Sequence, residues 1–304
     1  VLASGQIVNA NAKTNSDLWL ALKGGSNNFG IVTRFDLATF KQGNFWGGTI
    51  LYDGSTAPQL IKAFANLNRA QGYDEYATII QSHSFVSGSG FFTSANIAYT
   101  KAEENPQTFQ SYTDAQPQFR NSMRISNQTD FTVEFIQDQL NGRRQLYITT
   151  TFKNNLALLD FAYNTLKTVS SEVPTSPPGI SISLTFQPIP PAMTSRSAAL
   201  GGNMLGLEDA KDALVLCLIS ATWDTAAQDA SVSSVAKKLH DRIVAEAKSK
   251  GLWHRWIYLN YADKWQDPIS GYGAANREKL QRVARKYDPE GFWQRKVPGG
   301  FKLF

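Results

Sequence analysis

Two rhythms of apolar residues divide the chain. A spacing of three to four marks helices that turn one side to a core, while alternation or a short apolar run marks strands. Leu60, Ile61, Phe64 and Leu67 share one face of a predicted helix over residues 56–71, with Pro58 in its first turn. Leu158, Leu159, Ala162 and Leu166 do the same over 155–169. The plainest helix runs over 229–250, where Val232, Val235, Leu239, Ile243 and Ala247 keep helical spacing until Gly251 stops it. Strands are predicted at 77–85 and 91–100, separated by the hairpin signal Ser87-Gly88-Ser89-Gly90, and again at 145–152, 180–186 and 213–222. Strand pairs followed by helices predict an α+β fold, a large antiparallel sheet covered by helices. The proline-rich stretches 174–179 and 187–192 read as loops.

The ends of the chain read differently. Residues 1–40 suggest strand, turn at Ser4-Gly5, strand, then a helix at 18–22 behind the cap candidates Asn15, Ser16 and Asp17. Gly24-Gly25 stops that helix, and Ile31 to Leu37 alternate as a further strand. This piece is too short to bury a core by itself. Residues 257–261 read as a strand, and 273–286 as a helix ended by Pro289 and Gly291. The expected divisions are 1–40, 41–256 and 257–304.

Composition narrows the chemistry. A length of 304 residues is more than one core usually serves. The formal charge of +5 is spread along the chain, without the basic stripe and exposed aromatics of a nucleic-acid binder. No apolar run reaches the roughly 18 residues of a membrane span. Cys217, the single cysteine, lies in an apolar run and reads as a buried small hydrophobe. His83, His240 and His254 lack metal-ligand partners at the usual spacings, so no metal is expected. No Gly-x-Ser-x-Gly elbow supports a serine hydrolase. Asn127-Gln128-Thr129 would accept a glycan if the protein is secreted.

Three constellations remain. Lys23-Gly24-Gly25-Ser26-Asn27-Asn28-Phe29-Gly30-Ile31-Val32-Thr33 sits near the start, with glycines that permit close backbone approach. It follows a helix and precedes a strand, the reverse of the dinucleotide fingerprint, and a helix stop with a tight turn is the simpler reading. Tyr258-Leu259-Asn260-Tyr261 sits near the end, where a strand would turn Tyr258 and Asn260 to one face and Tyr261 to the other. A satisfied pair of core tyrosines is the simpler reading there. Gly201-Gly202-Asn203-Met204-Leu205-Gly206-Leu207 and the strand ending at Trp223 form the third, with a turn as the simpler role for Asn203.

In this order, together with Tyr272-Gly273, Asn276, Leu280 and Lys286-Tyr287-Asp288-Pro289, these segments resemble the berberine bridge enzyme-like group of the vanillyl-alcohol-oxidase superfamily, fungal type. The resemblance implies an FAD-linked oxidoreductase that oxidises an alcohol, sugar or secondary-metabolite carbon by hydride transfer to flavin, with dioxygen as acceptor. It implies that residues 1–40 and 257–304 are portions of a PCMH-type FAD-binding domain and that 41–256 bind the small-molecule substrate. Gly25, Asn28, Gly30, Ile31 and Asn260 become cofactor-binding candidates. Tyr258, Tyr261 and Asn260 become catalytic candidates, and Asn203 and Leu218 substrate-binding ones. Leu218 stands where several members carry a carboxylate base, which leaves Glu134 or a tyrosine of the 258–261 block to serve. The family's flavin-attachment region would precede Val1, so the polypeptide as given is expected to be colourless and inactive alone. A flavin-independent cyclase or isomerase, or a non-catalytic ligand-binding module, are the alternatives.

Overall fold

A computed structural model describes residues 1–137, 141–174 and 178–304. In chain order the elements are α1 (Ser16–Leu22), β1 (Phe45–Asp53), α2 (Ala57–Leu67), β2 (Ala77–Val86), β3 (Gly90–Tyr99), α3 (Gln110–Thr113), β4 (Gln118–Asn121), β5 (Arg124–Ser126), α4 (Gln128–Gln137), β6 (Arg144–Lys153) and α5 (Leu156–Val169). There follow β7 (Ser181–Ile189), α6 (Pro191–Thr194), β8 (Leu214–Trp223), α7 (Asp229–Ser249), β9 (Trp253–His254), α8 (Pro268–Gly271), α9 (Ala274–Tyr287) and α10 (Phe292–Arg295). They sort into two compact units, each made of separate stretches of chain.

The larger unit, Lys41–Ala192 with Lys211–His254, is an α+β layer pair. Its sheet has the order β4-β1-β3-β2-β7-β8-β6-β9, with β5 also on β1, and its ladders are antiparallel. Ile79, Ile97, Ile148, Phe152, Leu184, Phe186, Cys217 and Ile219 turn to one side, where they share a core with Leu60 and Phe64 of α2, Leu159 and Leu166 of α5, and Leu239 and Ile243 of α7. The predicted helical and strand stretches therefore form because each buries its apolar side in this one layer. Asn155 caps α5 by accepting from Leu158 N at 3.1 Å.

The stretch 187–192, read as a loop, instead continues β7 to Ile189 and then opens α6. Pro188 is tolerated because β2 pairs with β7 only as far as Phe186, so at Pro188 only the β8 side of the strand is paired. Of the other predicted loop, residues 175–177 lie outside the described residues. The sequence pattern missed β1, whose Gly47-Gly48 breaks the alternation. Gly48, at φ +144°, lets the backbone of Ser122 pass where a Cβ would stand.

The smaller unit comprises Val1–Phe40, Met193–Ala210 and Arg255–Phe304. Residues 193–210 were expected in the middle division; the structure corrects this, because Lys23 Nζ donates to the carbonyls of Leu200 (3.3 Å) and Gly202 (3.1 Å), and Met204 N donates to Lys23 O (2.9 Å). Two further expectations are corrected. No strand ladder forms within residues 1–40, and Ile31, Val32, Phe35 and Leu37 are exposed, because apart from the single exchange of Ile31 with Val1 this stretch has no strand beside it among the described residues. Residues 259–261 are a 3₁₀ turn rather than a strand.

Candidate functional site

The candidate residues lie in both units, and each unit is taken by itself. In the larger one, Leu218 stands on β8 facing away from the helices. Thr149 of β6 is its partner on one side and Thr185 of β7 on the other, and Ser82 of β2 pairs with Thr185. Leu218 is buried, so at this point the sheet offers an aliphatic side chain within a field of hydroxyls. Thr149 Oγ1 donates to Cys217 O at 2.9 Å, and the Ser82 and Thr185 hydroxyls meet at 2.8 Å. The position itself supplies no proton acceptor. Glu134 of α4 does not replace it: its oxygens lie 2.5 Å from Arg124 Nη1, 2.5 Å from Ser122 Oγ and 3.5 Å from Arg120 Nη2. A carboxylate so occupied fastens α4 to the sheet edge, helped by Phe131 packing on Phe45 at 4.7 Å between ring centres.

In the smaller unit the turn at 258–261 gathers what a strand would have kept apart. Tyr258 stacks on buried Trp256 with ring centres 5.6 Å apart, and Tyr261 meets Tyr258 edge-on at 4.8 Å. Asn260 Nδ2 donates to the Tyr258 hydroxyl at 2.8 Å. That hydroxyl is thereby oriented as an acceptor from Asn260, and its own proton is left to point elsewhere. Tyr258 and Tyr261 are half-buried and Asn260 is exposed. Tyr272, close by, is buried, donates to Gly24 O at 3.0 Å, and burial pushes its phenol up to about 12. It is a structural phenol, whereas the other two combine partial exposure with a shared aromatic cluster.

The Gly-rich turn is explained largely from inside the unit. A Cβ on Gly25 would run into the Phe29 ring, the Ala21 carbonyl and Leu280. Asn28 is wholly buried; its amide donates to Gly25 O (2.8 Å) and Phe301 O (2.9 Å) and accepts from Gln294 Nε2 (3.0 Å). A Cβ on Gly30 would meet the Val1 carbonyl, and Ile31 exchanges hydrogen bonds with Val1, N–H to Val1 O at 3.0 Å and carbonyl from the Val1 amine at 2.7 Å. Because this turn follows α1 instead of opening a helix, it does not build the helix-N-terminus site that holds a pyrophosphate in dinucleotide folds.

Asn203 lies in the smaller unit, off the sheet. Its Oδ1 accepts from Leu205 N (2.9 Å) and its Nδ2 donates to Ser197 Oγ (2.7 Å), which is a turn role. His83 is buried between Gln81 and Thr93 at 3.0 Å each, on the helix side of the sheet, and burial holds its imidazole down to about 3. Asn127 is exposed, and its Oδ1 accepts from Asp130 N at the start of α4. Among the described residues, no three His, Cys, Asp or Glu side chains are grouped to hold a metal ion, and no helix is long and apolar enough to cross a membrane. Sequence reading missed the stacking of Trp256 on Tyr258, for which the only signal was an aromatic two positions before the tyrosine.

No protein-family model matches the chain. It is 36% identical over 310 residues to the FAD-dependent monooxygenase sdcF of Emericella nidulans, a match that covers all of this chain and 64% of that protein. It is 33% identical over 324 residues to the FAD-dependent monooxygenase elcE of Phaeosphaeria nodorum, covering all of this chain and 91% of that protein. Several curated relatives are much longer, and the chain spans 25% to 64% of three of them. In fold it is similar to the xylooligosaccharide oxidase of Myceliophthora thermophila C1, with a TM-score of 0.75 at 18% identity over 96% of this chain and 63% of that one.

Proposed function

Because the chain belongs to a family of FAD-dependent monooxygenases and shares its fold with a berberine bridge enzyme-like protein, we propose that the protein oxidises a carbon of a small alcohol, sugar or secondary metabolite. Bound FAD would accept the hydride from that carbon and pass the two electrons to dioxygen, while the substrate's proton leaves to a side chain. The chain's own residues suit the ring end of such a group. Tyr258 and Tyr261 present half-buried aromatic edges with hydroxyls, and exposed Asn260 adds an amide, so a flat heterocycle with hydrogen-bonding edges has both stacking area and polar partners.

The observation that carries the reading is the hydrogen bond from Asn260 to the Tyr258 hydroxyl. With Leu218 aliphatic and Glu134 tied to arginines, Tyr258 is the leading acid/base group. Asn260 holds its oxygen in one orientation, and the stack on Trp256 holds its ring. Tyr261, in edge contact with Tyr258, is the second candidate. In flavin-loaded full-length protein, Tyr258→Phe is expected to slow substrate-driven flavin reduction by roughly 10² to 10⁴-fold while FAD absorbance stays stoichiometric. Unchanged reduction rates in both Tyr258→Phe and Tyr261→Phe would remove this turn from the mechanism.

A further inference from the structure

The sheet face that carries Leu218 has a composition that narrows the substrate. Ladder registers place Tyr147, Ser220, Ser183, Ser84 and Phe92 in one row across β6, β8, β7, β2 and β3. The neighbouring row reads Thr149, Leu218, Thr185, Ser82 and Ser94. The first row is three hydroxyls between two aromatic rings, and its five residues are exposed or half-buried. Phe92 is extended outward by Phe119, ring centres 6.1 Å apart. Ser84 and Ser183 share one hydrogen bond at 2.7 Å, which leaves the pair one proton to donate, while the Ser220 hydroxyl makes no hydrogen bond among the described residues. One row beyond Leu218, Thr151 is wholly buried, yet its hydroxyl has no protein partner. A buried hydroxyl without a partner costs free energy, so this face holds hydrogen-bonding capacity that a non-protein partner would satisfy.

Charge is the second constraint. Neither row contains an ionisable acid or base apart from the Tyr147 phenol. The charged groups at the far edge, Arg120, Arg124, Asp130 and Glu134, neutralise one another in salt bridges of 2.5 to 3.5 Å. A carboxylate or ammonium laid on the rows would lose water without gaining a counter-charge. Spacing is the third. Ser220 and the Ser84–Ser183 pair are separated by about one strand spacing, roughly 4.8 Å. Oxygens on alternate carbons of a six-membered ring stand about that far apart; oxygens on adjacent carbons are much closer.

Resting on the oxidoreductase reading above, we propose that this face selects neutral ring compounds with oxygens on alternate carbons, phenolic in kind, with Ser220 and the Ser84–Ser183 pair as the specificity-determining hydroxyls. The ring lies along the row between Tyr147 and Phe92, and its two oxygens each take or give one hydrogen bond. The test is calorimetric titration of the full chain with resorcinol (alternate hydroxyls), catechol (adjacent hydroxyls), a resorcinol carboxylate and xylobiose. Resorcinol is expected to bind tightest. Ser220→Ala is expected to weaken resorcinol roughly 2- to 13-fold, the equivalent of one hydrogen bond, and to leave catechol unchanged. Thermal unfolding of the variant checks that it folds. Equal binding of resorcinol and catechol, tighter binding of the carboxylate or of xylobiose, or an unchanged resorcinol affinity in a folded Ser220→Ala variant would each overturn the proposal. Binding is read without flavin, so these outcomes leave the oxidoreductase reading standing. That reading fails separately if full-length protein binds no FAD.

Discussion

Replacing Asn28 by alanine separates two accounts of the Gly-rich turn. If Asn28 serves the fold, its loss must destabilise the smaller unit whether or not a cofactor is bound. The side chain donates to Gly25 O at 2.8 Å and Phe301 O at 2.9 Å, accepts from Gln294 Nε2 at 3.0 Å, and has no exposed surface. Alanine leaves two carbonyls and one amide without this partner. A buried polar group left unpaired costs about 1–3 kcal/mol, and Phe301 and Gln294 are half-buried and partly rehydrate. The expected loss is therefore roughly 2–4 kcal/mol. Guanidinium unfolding followed by tryptophan fluorescence measures it, and hydrogen exchange at 299–304 locates it, since Asn28 holds the Phe301 carbonyl. Asn28→Asp should cost more near neutral pH, because a carboxylate would face two carbonyl oxygens. A loss below about 0.5 kcal/mol for Asn28→Ala, with the tail still protected, would refute a structural role and return the residue to the list of ligand contacts.

Two further outcomes are expected. His83 is held down to about 3 by burial, against 6.5 in an unfolded chain, so between these values the unfolded chain binds the extra proton. Its contribution to stability is complete above about 6.5 and is lost as the pH falls toward 3, by up to roughly 4–5 kcal/mol. His83→Gln should flatten that part of the stability–pH profile, and an unchanged slope would show that His83 is not the group responsible. Gly25→Ala should destabilise by roughly 1–3 kcal/mol, because the new methyl group overlaps Phe29, the Ala21 carbonyl and Leu280. An unchanged melting temperature would show that these neighbours yield to a methyl group and that their packing does not require glycine at this position.

Local rhythm determined much of this protein. The helices α2, α5 and α7 and the strands β2, β3, β6, β7 and β8 form close to where apolar spacing puts them, since each buries one side and the side is written in the residues. The antiparallel α+β class followed from the same pattern, and the order of the glycine, Tyr-x-Asn-Tyr and Lys-Tyr-Asp-Pro segments was enough to carry the family resemblance. What stayed illegible depends on partners distant in the chain. β1 exists because β3, β4 and β5 pair with it and because Gly48 admits Ser122, conditions that no window of sequence contains. Residues 193–210 join α1 through Lys23, a lysine whose carbonyl partners lie some 180 positions away. Tyr258, Asn260 and Tyr261 were recognisable as a group, but alternation assigned them to opposite faces. The 3₁₀ turn, closed by Tyr261 N on Tyr258 O at 3.0 Å, brings them together. That the Asn28 amide reaches the Phe301 carbonyl was likewise decided by the return of the C-terminal tail, because a side-chain amide is satisfied by whatever tertiary structure brings within reach.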